Sequence, residues 1–176
     1  MCGPGRVSNI RRRSALGTIR MALDPALNYL VGDWSDESRT GEPGTATASG
    51  ESWRADLGGR ILIRMGWCEF PASSKRDAFR HEDLLIIYPE GEDEMRGIFW
   101  DNEGHTIHYP NVTMLPEGQG ILLSSERAIP GPRQQLRYVF EAPDRFNATF
   151  SLLLPGTPDF MPYLSWSSAR TKPGPT

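Results

Sequence analysis

The stretch "RFNATFSLLL" (residues 145–154) alternates apolar and polar side chains over most of its length. The apolar side chains fall on one face of an extended chain: Phe146, Ala148, Phe150, Leu152 and Leu154. Successive side chains of a β-strand point to opposite faces, so this pattern predicts a strand that is buried on one side only. The stretch "QLRYVFEA" (residues 135–142) repeats the pattern and predicts a second strand of the same kind.

Further strand-like runs cover the chain on both sides of these two, separated by short Gly- or Pro-containing segments such as "PEGED", "DNEG" and "PEGQG". Ten strands are predicted, at residues 32–40, 46–56, 60–70, 80–89, 94–101, 105–115, 119–128, 133–142, 145–154 and 160–170. Short connections pair each strand with the previous one, which predicts an up-and-down antiparallel meander. Ten strands are too many for a flat open sheet, and closure into a barrel removes the exposed edges. The predicted fold is therefore an all-β barrel.

One short helix is predicted before the first strand, in "DPALNYL" (residues 24–30). Asp24 is a candidate N-cap, and Pro25 suits the first helical position. The predicted domain runs over residues 22–171, between a disordered basic tail at 1–21 and a disordered tail at 172–176. The basic tail lacks the apolar core of a secretory signal; a targeting segment and a natural start at Met21 remain open alternatives.

Charge and cysteine content narrow the function classes. The net charge is −3, but residues 1–23 hold five Arg and no acid, so the remaining chain is near −8. An acidic domain argues against nucleic-acid binding. No run of 18 apolar residues occurs, so no membrane span is predicted. Cys2 and Cys68 are the only cysteines, which favours a reducing compartment, the cytoplasm, and leaves no four-ligand zinc motif.

The stretch "FWDNEGHTIHY" (residues 99–109) predicts a hairpin that is closed by Asp101 and His105. Two interpretations are open: a general base or ligand anchor at the mouth of a barrel, and a polar pair that only closes a turn. His108 is three residues from His105 and falls on the opposite face, so the two cannot share a metal without a bulge. No metal site is predicted, and His81 is expected at the surface where a strand begins.

Other candidate ligand contacts are arginines and aromatic residues. The run "RILIRMGW" (residues 60–67) has apolar side chains on one face and Arg60, Leu62 and Arg64 on the other. Such arginines either face solvent or, in a polar lumen, face a bound carboxylate. Five Trp are many for the length, and inward ones would form an apolar, stacking lining. The predicted ligand-binding residues are Trp53, Arg64, Trp67, Phe99, Tyr109, Tyr138 and Tyr163.

At "LNYLVGDWSDES" (residues 27–38) the chain resembles the calycin superfamily of lipocalins and fatty-acid-binding proteins. The order of a short apolar helix, Gly32-x-Trp34 and about ten meandering strands is most similar to nitrobindins and to a bacterial barrel family of unknown function (DUF1579). The resemblance implies that Trp34 plugs the barrel floor and that Arg170 packs across it. Nitrobindins bind haem through a His near the start of the last strand, where this chain has Tyr163.

The function expected first is binding of a small hydrophobic or amphipathic molecule in the barrel lumen, with no obligatory cofactor. The alternative is a metal-free enzyme of the isomerase or cyclase type, in which Asp101 orients His105 for proton transfer. Haem binding through Tyr163 and a structural barrel with a filled core are further alternatives. A homodimer is also left open.

Overall fold

The computed structural model describes residues 23–41, 46–74, 76–91, 94–126 and 131–173. Residues 1–21 and 174–176 of the predicted tails lie outside them. The described chain forms ten strands: β1 (Gly32–Gly41), β2 (Ala48–Asp56), β3 (Ile61–Phe70), β4 (Phe79–Glu90), β5 (Glu94–Asp101), β6 (Thr106–Met114), β7 (Gly120–Ser124), β8 (Arg133–Ala142), β9 (Arg145–Leu153) and β10 (Met161–Pro173). A 3-10 helix (Pro25–Leu30) precedes β1, and a second one (Pro116–Gly118) lies between β6 and β7.

Every strand pairs antiparallel with the next in the chain, and β1 pairs with β10, so the sheet closes into a barrel. The closing ladder joins Trp34 to Arg170 and Thr40 to Ser165. The prediction of an all-β, up-and-down barrel with one short N-terminal helix is confirmed. No helix in the described part of the chain is both long and apolar enough to cross a membrane.

Two strand ends differ from the prediction for reasons of pairing. β7 ends at Ser124, so Ser125 and Glu126 of the predicted strand lie beyond it, and the predicted residues 127 and 128 are outside the described part of the chain. Its ladder with β6 begins at Asn111, directly after Pro110, which has no amide hydrogen to donate. β10 runs to Pro173, three residues past the predicted end, because Lys172 and Pro173 still pair with the start of β1.

The first 3-10 helix closes one end of the barrel, which we call the floor. Asp24 caps this helix by accepting a hydrogen bond from the Ala26 amide at 2.9 Å. Trp34 Nε1 donates to the Leu30 carbonyl at 2.8 Å, and the Arg170 guanidinium lies 4.1 Å from the centroid of the Trp34 ring. Arg170 also donates to the Tyr29 carbonyl at 2.6 Å. Trp34 and Arg170 therefore lie against each other as the resemblance implies.

Alternate residues of each strand point into the barrel. In β8 and β9 the buried apolar residues, Leu136, Tyr138, Phe146 and Ala148, belong to the predicted faces. Phe150 and Leu152 keep intermediate exposure, and Ser151 of the predicted polar face is buried. Leu154 is exposed, because β9 ends one residue before it. In β3 the buried inward face carries Leu62, Arg64, Gly66, Cys68 and Phe70, so the face with Met65 and Trp67 forms part of the outer wall.

Candidate ligand site

The barrel interior holds a buried ion-pair network centred on Arg64 of β3. Arg64 Nη1 lies 2.9 Å from Asp83 Oδ1, and Arg64 Nε donates to Glu51 Oε2. The side chains of Arg64, Asp83 and Glu51 are only 9%, 7% and 1% exposed. Of the two interpretations of Arg64, the structure therefore supports the inward one, and the carboxylates that it contacts are the protein's own.

Gly66 provides the space for this network. Glu51, Gly66 and Asp83 are direct cross-strand neighbours on β2, β3 and β4. A Cβ atom at Gly66 would lie 2.5 Å from Asp83 Oδ2 and 2.7 Å from Arg64 Nη2. Atoms at these separations would overlap, so the missing side chain lets the Arg64 guanidinium lie beside Asp83.

A second polar group lies on β1 around Asp36. Its carboxylate accepts from Ser168 Oγ at 2.7 Å, from Ser49 Oγ, and from Arg39 Nη1 at 3.3 Å. Together with the network around Arg64, this part of the interior contains three carboxylates and two guanidinium groups. When all of them are ionised, the cluster carries an excess of one negative charge.

Burial and charge act differently on the two carboxylates of the network. Burial raises the pKa of Glu51, and the nearby Asp36 and Asp83 carboxylates add to this effect, whereas Arg64 opposes it. Burial would also raise the pKa of Asp83, but the Arg64 guanidinium and the His81 ring outweigh it, so the pKa of Asp83 is lowered. Glu51 is therefore the carboxyl group in this network whose proton is held more strongly than usual.

Aromatic rings surround the carboxylate of Glu51. Tyr138 Oη donates to Glu51 Oε2 at 3.1 Å. The Tyr138 ring makes edge-to-face contacts with Trp53 at 5.4 Å, with Phe146 at 5.3 Å and with Trp166 at 6.0 Å between centroids. The interior is thus a charged centre within an aromatic lining, as the tryptophan content of the sequence predicts.

Four buried polar atoms of the interior have no hydrogen-bond partner in the described part of the chain: Arg39 Nε, Glu51 Oε1, Trp53 Nε1 and Tyr109 Oη. Each unsatisfied buried group costs about 1–3 kcal/mol, so native proteins pair nearly all of them with protein groups, water or ligand. Burial raises the pKa of Tyr109, the Asp83 carboxylate adds to this effect, and Arg64 opposes it. Together these atoms form a set of unused donors and acceptors within one polar cluster.

The inner wall toward the end opposite the floor, which we call the far end, is apolar and only partly buried. Phe99, Phe150 and Leu164 pack against the core but keep intermediate exposure, whereas Tyr138 and Phe146 are completely buried. Phe150 pairs with Leu164 across β9 and β10. Solvent therefore reaches an apolar wall at the far end of the barrel.

The Asp101–His105 pair lies at this far end, in the hairpin between β5 and β6. Asp101 Oδ1 accepts from the amides of Glu103 at 3.0 Å and His105 at 2.9 Å, and its Oδ2 lies 2.8 Å from His105 Nδ1. The His105 side chain is 66% exposed. Asp101 therefore orders the turn, as the hairpin interpretation predicts, and the imidazole lies outside the buried network.

The Asp101 side chain is 6% exposed, but its partner His105 is 66% exposed and is solvated by water. We therefore expect Asp101→Asn to change the free energy of unfolding by no more than about 1 kcal/mol. An asparagine oxygen can still accept from both hairpin amides. Asp101→Ala removes the acceptor as well and should cost more. Urea denaturation of both variants at neutral pH is the measurement, and a much larger loss for Asp101→Asn would give the pair a role beyond the turn.

His81, expected at the surface, instead lies between two carboxylates. Its Nδ1 is 2.8 Å from Glu103 Oε1, and its Nε2 is 3.6 Å from Asp83 Oδ2. The Asp83 carboxylate raises the pKa of His81, burial opposes this, and Glu103 adds to the rise. In "FRHEDLLII" the alternation places His81, Asp83 and Leu85 on one face, which could have indicated that His81 points inward. The sequence did not identify the inward face, because Leu84 and Ile86 make the other face equally apolar.

The predicted ligand-binding residues separate into two groups. Those that lie in the interior are Trp53, Arg64, Phe99, Tyr109 and Tyr138. Trp67 lies instead on the outer wall of β3, with the Arg80 guanidinium 4.8 Å from its ring centroid. Tyr163 is 41% exposed at a bulge in β10, with its ring 6.3 Å from that of Phe150.

These residues do not fit a haem group. A haem pocket needs an apolar slot with an axial ligand directed into it. Tyr163 is exposed at the far end, and the interior holds the Arg64 ion pairs and the packed rings of Trp53 and Tyr138. A cluster of His, Cys, Asp or Glu that could bind a metal ion is also absent from the described residues.

The chain matches no family model and no curated protein. The closed ten-strand antiparallel barrel is consistent with a calycin-like fold. The function is therefore argued from the site, since a barrel of this kind is compatible with many activities.

Proposed function

We propose that the barrel binds a small amphipathic molecule in its interior. The observation that carries this proposal is the set of unpartnered buried atoms Arg39 Nε, Glu51 Oε1, Trp53 Nε1 and Tyr109 Oη. A ligand whose polar group pairs with some of these atoms would remove their share of the desolvation cost. Its apolar part would lie against the partly exposed wall of Phe99 and Leu164.

The polar groups of the interior favour a ligand with a hydroxyl head group over a charged one. Arg64 already contacts two carboxylates, Glu51 and Asp83, so it has little attraction left for a third. With Asp36 and Arg39 included, the carboxylates outnumber the guanidinium groups by one, and a protonated His81 beside Asp83 balances this charge. A hydroxyl group can donate to Glu51 Oε1 and accept from Trp53 Nε1, whereas an ammonium group has no acceptor for Trp53 Nε1 and a carboxylate would add an uncompensated buried charge.

The direct test is calorimetric titration of the purified protein with octylamine, octanol and octanoate, which share one alkyl chain and differ in head group. We expect octanol to bind most tightly and octanoate most weakly. Failure of all three to bind would contradict ligand binding in the interior. A preference for octylamine or octanoate would retain ligand binding but overturn the assignment of head group. Native mass spectrometry of protein purified from its own host checks independently for a bound molecule.

Two tyrosine variants separate ligand binding from folding. Tyr109→Phe removes a hydroxyl that has no partner among the described residues, so the stability of the free protein should be unchanged or higher while octanol affinity falls. Tyr138→Phe removes the hydrogen bond to Glu51 and should cost about 1 kcal/mol of stability. Thermal denaturation and calorimetry give both quantities. Marked destabilisation by Tyr109→Phe would show that its hydroxyl serves the fold.

A further inference from the structure

His81 connects the buried charges of the interior to the surface at the far end of the barrel. Its Nδ1 lies 2.8 Å from Glu103 Oε1 in the hairpin between β5 and β6, and its Nε2 lies 3.6 Å from Asp83 Oδ2. Asp83 contacts Arg64, which also contacts Glu51. The His81 side chain is 19% exposed, so a proton on its ring lies beside the buried network and can still exchange with water.

The groups around His81 favour a positive charge on its ring. The Asp83 carboxylate raises the pKa of His81, burial opposes this rise, and Glu103 adds to it. Glu103 is 45% exposed and solvated by water, whereas Asp83 is 7% exposed, so Asp83 is the buried partner of the ring. From β5, Asp101 is the cross-strand neighbour of Asp83. From β3, the neighbour of His81 is Cys68, and burial raises the pKa of this thiol to about 11, so it stays neutral.

The remaining charged neighbours on the same strand do not face the interior. Arg80 and Glu82 flank His81 on β4, point outward, and pair with each other at 3.0 Å. From β1, the Arg39 guanidinium acts on Asp83 and is paired with Asp36 at 3.3 Å. The charge that is free to change beside Asp83 is therefore the proton on His81.

This proton decides whether the interior is balanced in charge. Without it, the cluster holds three carboxyl and two guanidinium groups: Asp36, Glu51, Asp83, Arg39 and Arg64. With it, three cations stand against three carboxylates. An uncompensated charge in a buried site is costly, so the unbalanced cluster attracts a further cation, whereas the balanced cluster does not.

From this arrangement we infer that His81 sets the head-group specificity of the interior site. With a proton on His81 the site favours a hydroxyl group, and without that proton the site gains affinity for an ammonium group, which supplies the missing cation. His81 acts through Asp83 and Arg64 and not by contact with the ligand. The inference rests on the proposed binding of an amphipathic molecule in the interior.

The inference predicts the direction in which pH changes the preference. Because the pKa of His81 is raised, the ring keeps its proton to above ~6.5 and loses it as the pH rises through the folded-state value. An alkylammonium group, like that of Lys, stays protonated to about pH 10, and an alkyl carboxylate is ionised above about pH 5. The head groups of octylamine and octanoate therefore keep their charges while His81 titrates.

The test is calorimetric titration of the full chain with octanol, octylamine and octanoate at about pH 6 and about pH 9. Coupling between two sites typically changes affinity about 5–150-fold, and we expect the octylamine affinity, relative to that of octanol, to rise about tenfold or more at the higher pH. The relative affinity of octanoate should fall. A change that affects only the fold would not move the two charged ligands in opposite directions.

Two variants assign the effect to His81. His81→Gln keeps a polar side chain without a titratable ring, so its relative octylamine affinity should be high at both pH values. The matched control is His105→Gln, which removes the exposed histidine that pairs with Asp101 in the same hairpin and should behave as the wild type. Circular dichroism verifies that each variant is folded.

Glu103→Gln covers the case in which His81→Gln fails to fold. It removes one of the two carboxylates beside His81 at an exposed turn, so the preference should change at a lower pH than in the wild type. With octanol still bound, the inference is overturned if the wild-type preference is the same at both pH values, if His81→Gln retains the change, or if His105→Gln abolishes it. If none of the three molecules binds at either pH, the proposed ligand binding is wrong and the inference fails with it.

Discussion

Replacement of Arg64 by leucine is expected to lower the free energy of unfolding by about 3–5 kcal/mol, a large share of the ~5–15 kcal/mol that stabilises a typical domain. The leucine fills part of the space but leaves Glu51 and Asp83 buried without their cation. Breaking a buried ion pair by removal of one partner costs more than the pair itself contributes, because the remaining charge keeps its desolvation penalty. Chemical denaturation at neutral pH gives the difference directly.

Arg54→Leu is the matched control on the neighbouring strand. Arg54 also forms an ion pair, with Asp56, but its side chain is 61% exposed. Its removal should cost less than about 1 kcal/mol, because water screens and solvates both partners. Equal losses for the two variants would mean that the interior of the barrel is as well hydrated as its surface, and the interpretation of Arg64 as a buried charge would be wrong.

The effect of Arg64→Leu should also depend on pH in a defined direction. In the wild type the pKa of Asp83 is lowered, so Asp83 stabilises the fold above its unfolded-state pKa and loses this contribution as the pH falls through the folded-state value. In the variant the cation is absent and burial raises the pKa of both carboxyl groups, so acid relieves the penalty. The stability difference should be largest at neutral pH and should shrink toward pH ~4, where carboxyl groups protonate.

The architecture was predictable because each strand carries its own signal. Short Gly- and Pro-containing turns delimit the runs, and the alternation in residues 135–142 and 145–154 assigns their buried faces correctly. Ladder lengths were less predictable, since they depend on two strands at once. The early end of β7 follows from Pro110 on β6, and the extra residues of β10 follow from pairing with Gly32 and Asp33.

The polar centre could be predicted only in part. Arg64, Trp53, Tyr109 and Tyr138 were candidates from residue type alone, but Glu51 and Asp83 were not. A buried carboxylate can be predicted only if its charged partner is known. The partner here, Arg64, lies on a different strand, so the prediction requires the cross-strand register. The outer position of Trp67 has the same origin, because both faces of β3 contain apolar residues and only the neighbouring strands determine which face turns inward.

Truncation of Trp34 to alanine should destabilise the barrel by about 3–5 kcal/mol, the usual cost of removing a large buried aromatic side chain. Trp34 is 3% exposed, and its ring lies 4.6 Å from that of Phe146 and 4.1 Å from the Arg170 guanidinium. Its loss removes the packing between the first 3-10 helix and the floor of the barrel. It also leaves Arg170 without the ring that it covers.

Trp34→Phe is the matched variant, because it keeps a ring in the floor and removes the indole donor. Its cost should be intermediate: the smaller ring leaves a cavity, and the Leu30 carbonyl loses the 2.8 Å hydrogen bond from Nε1. Thermal and urea denaturation of both variants, followed by near-ultraviolet circular dichroism, give the order wild type, Trp34→Phe, Trp34→Ala. A Trp34→Ala protein as stable as the wild type would contradict the role of Trp34 as the plug of the floor, because a barrel end sealed by this ring cannot lose it without opening a cavity beneath the helix.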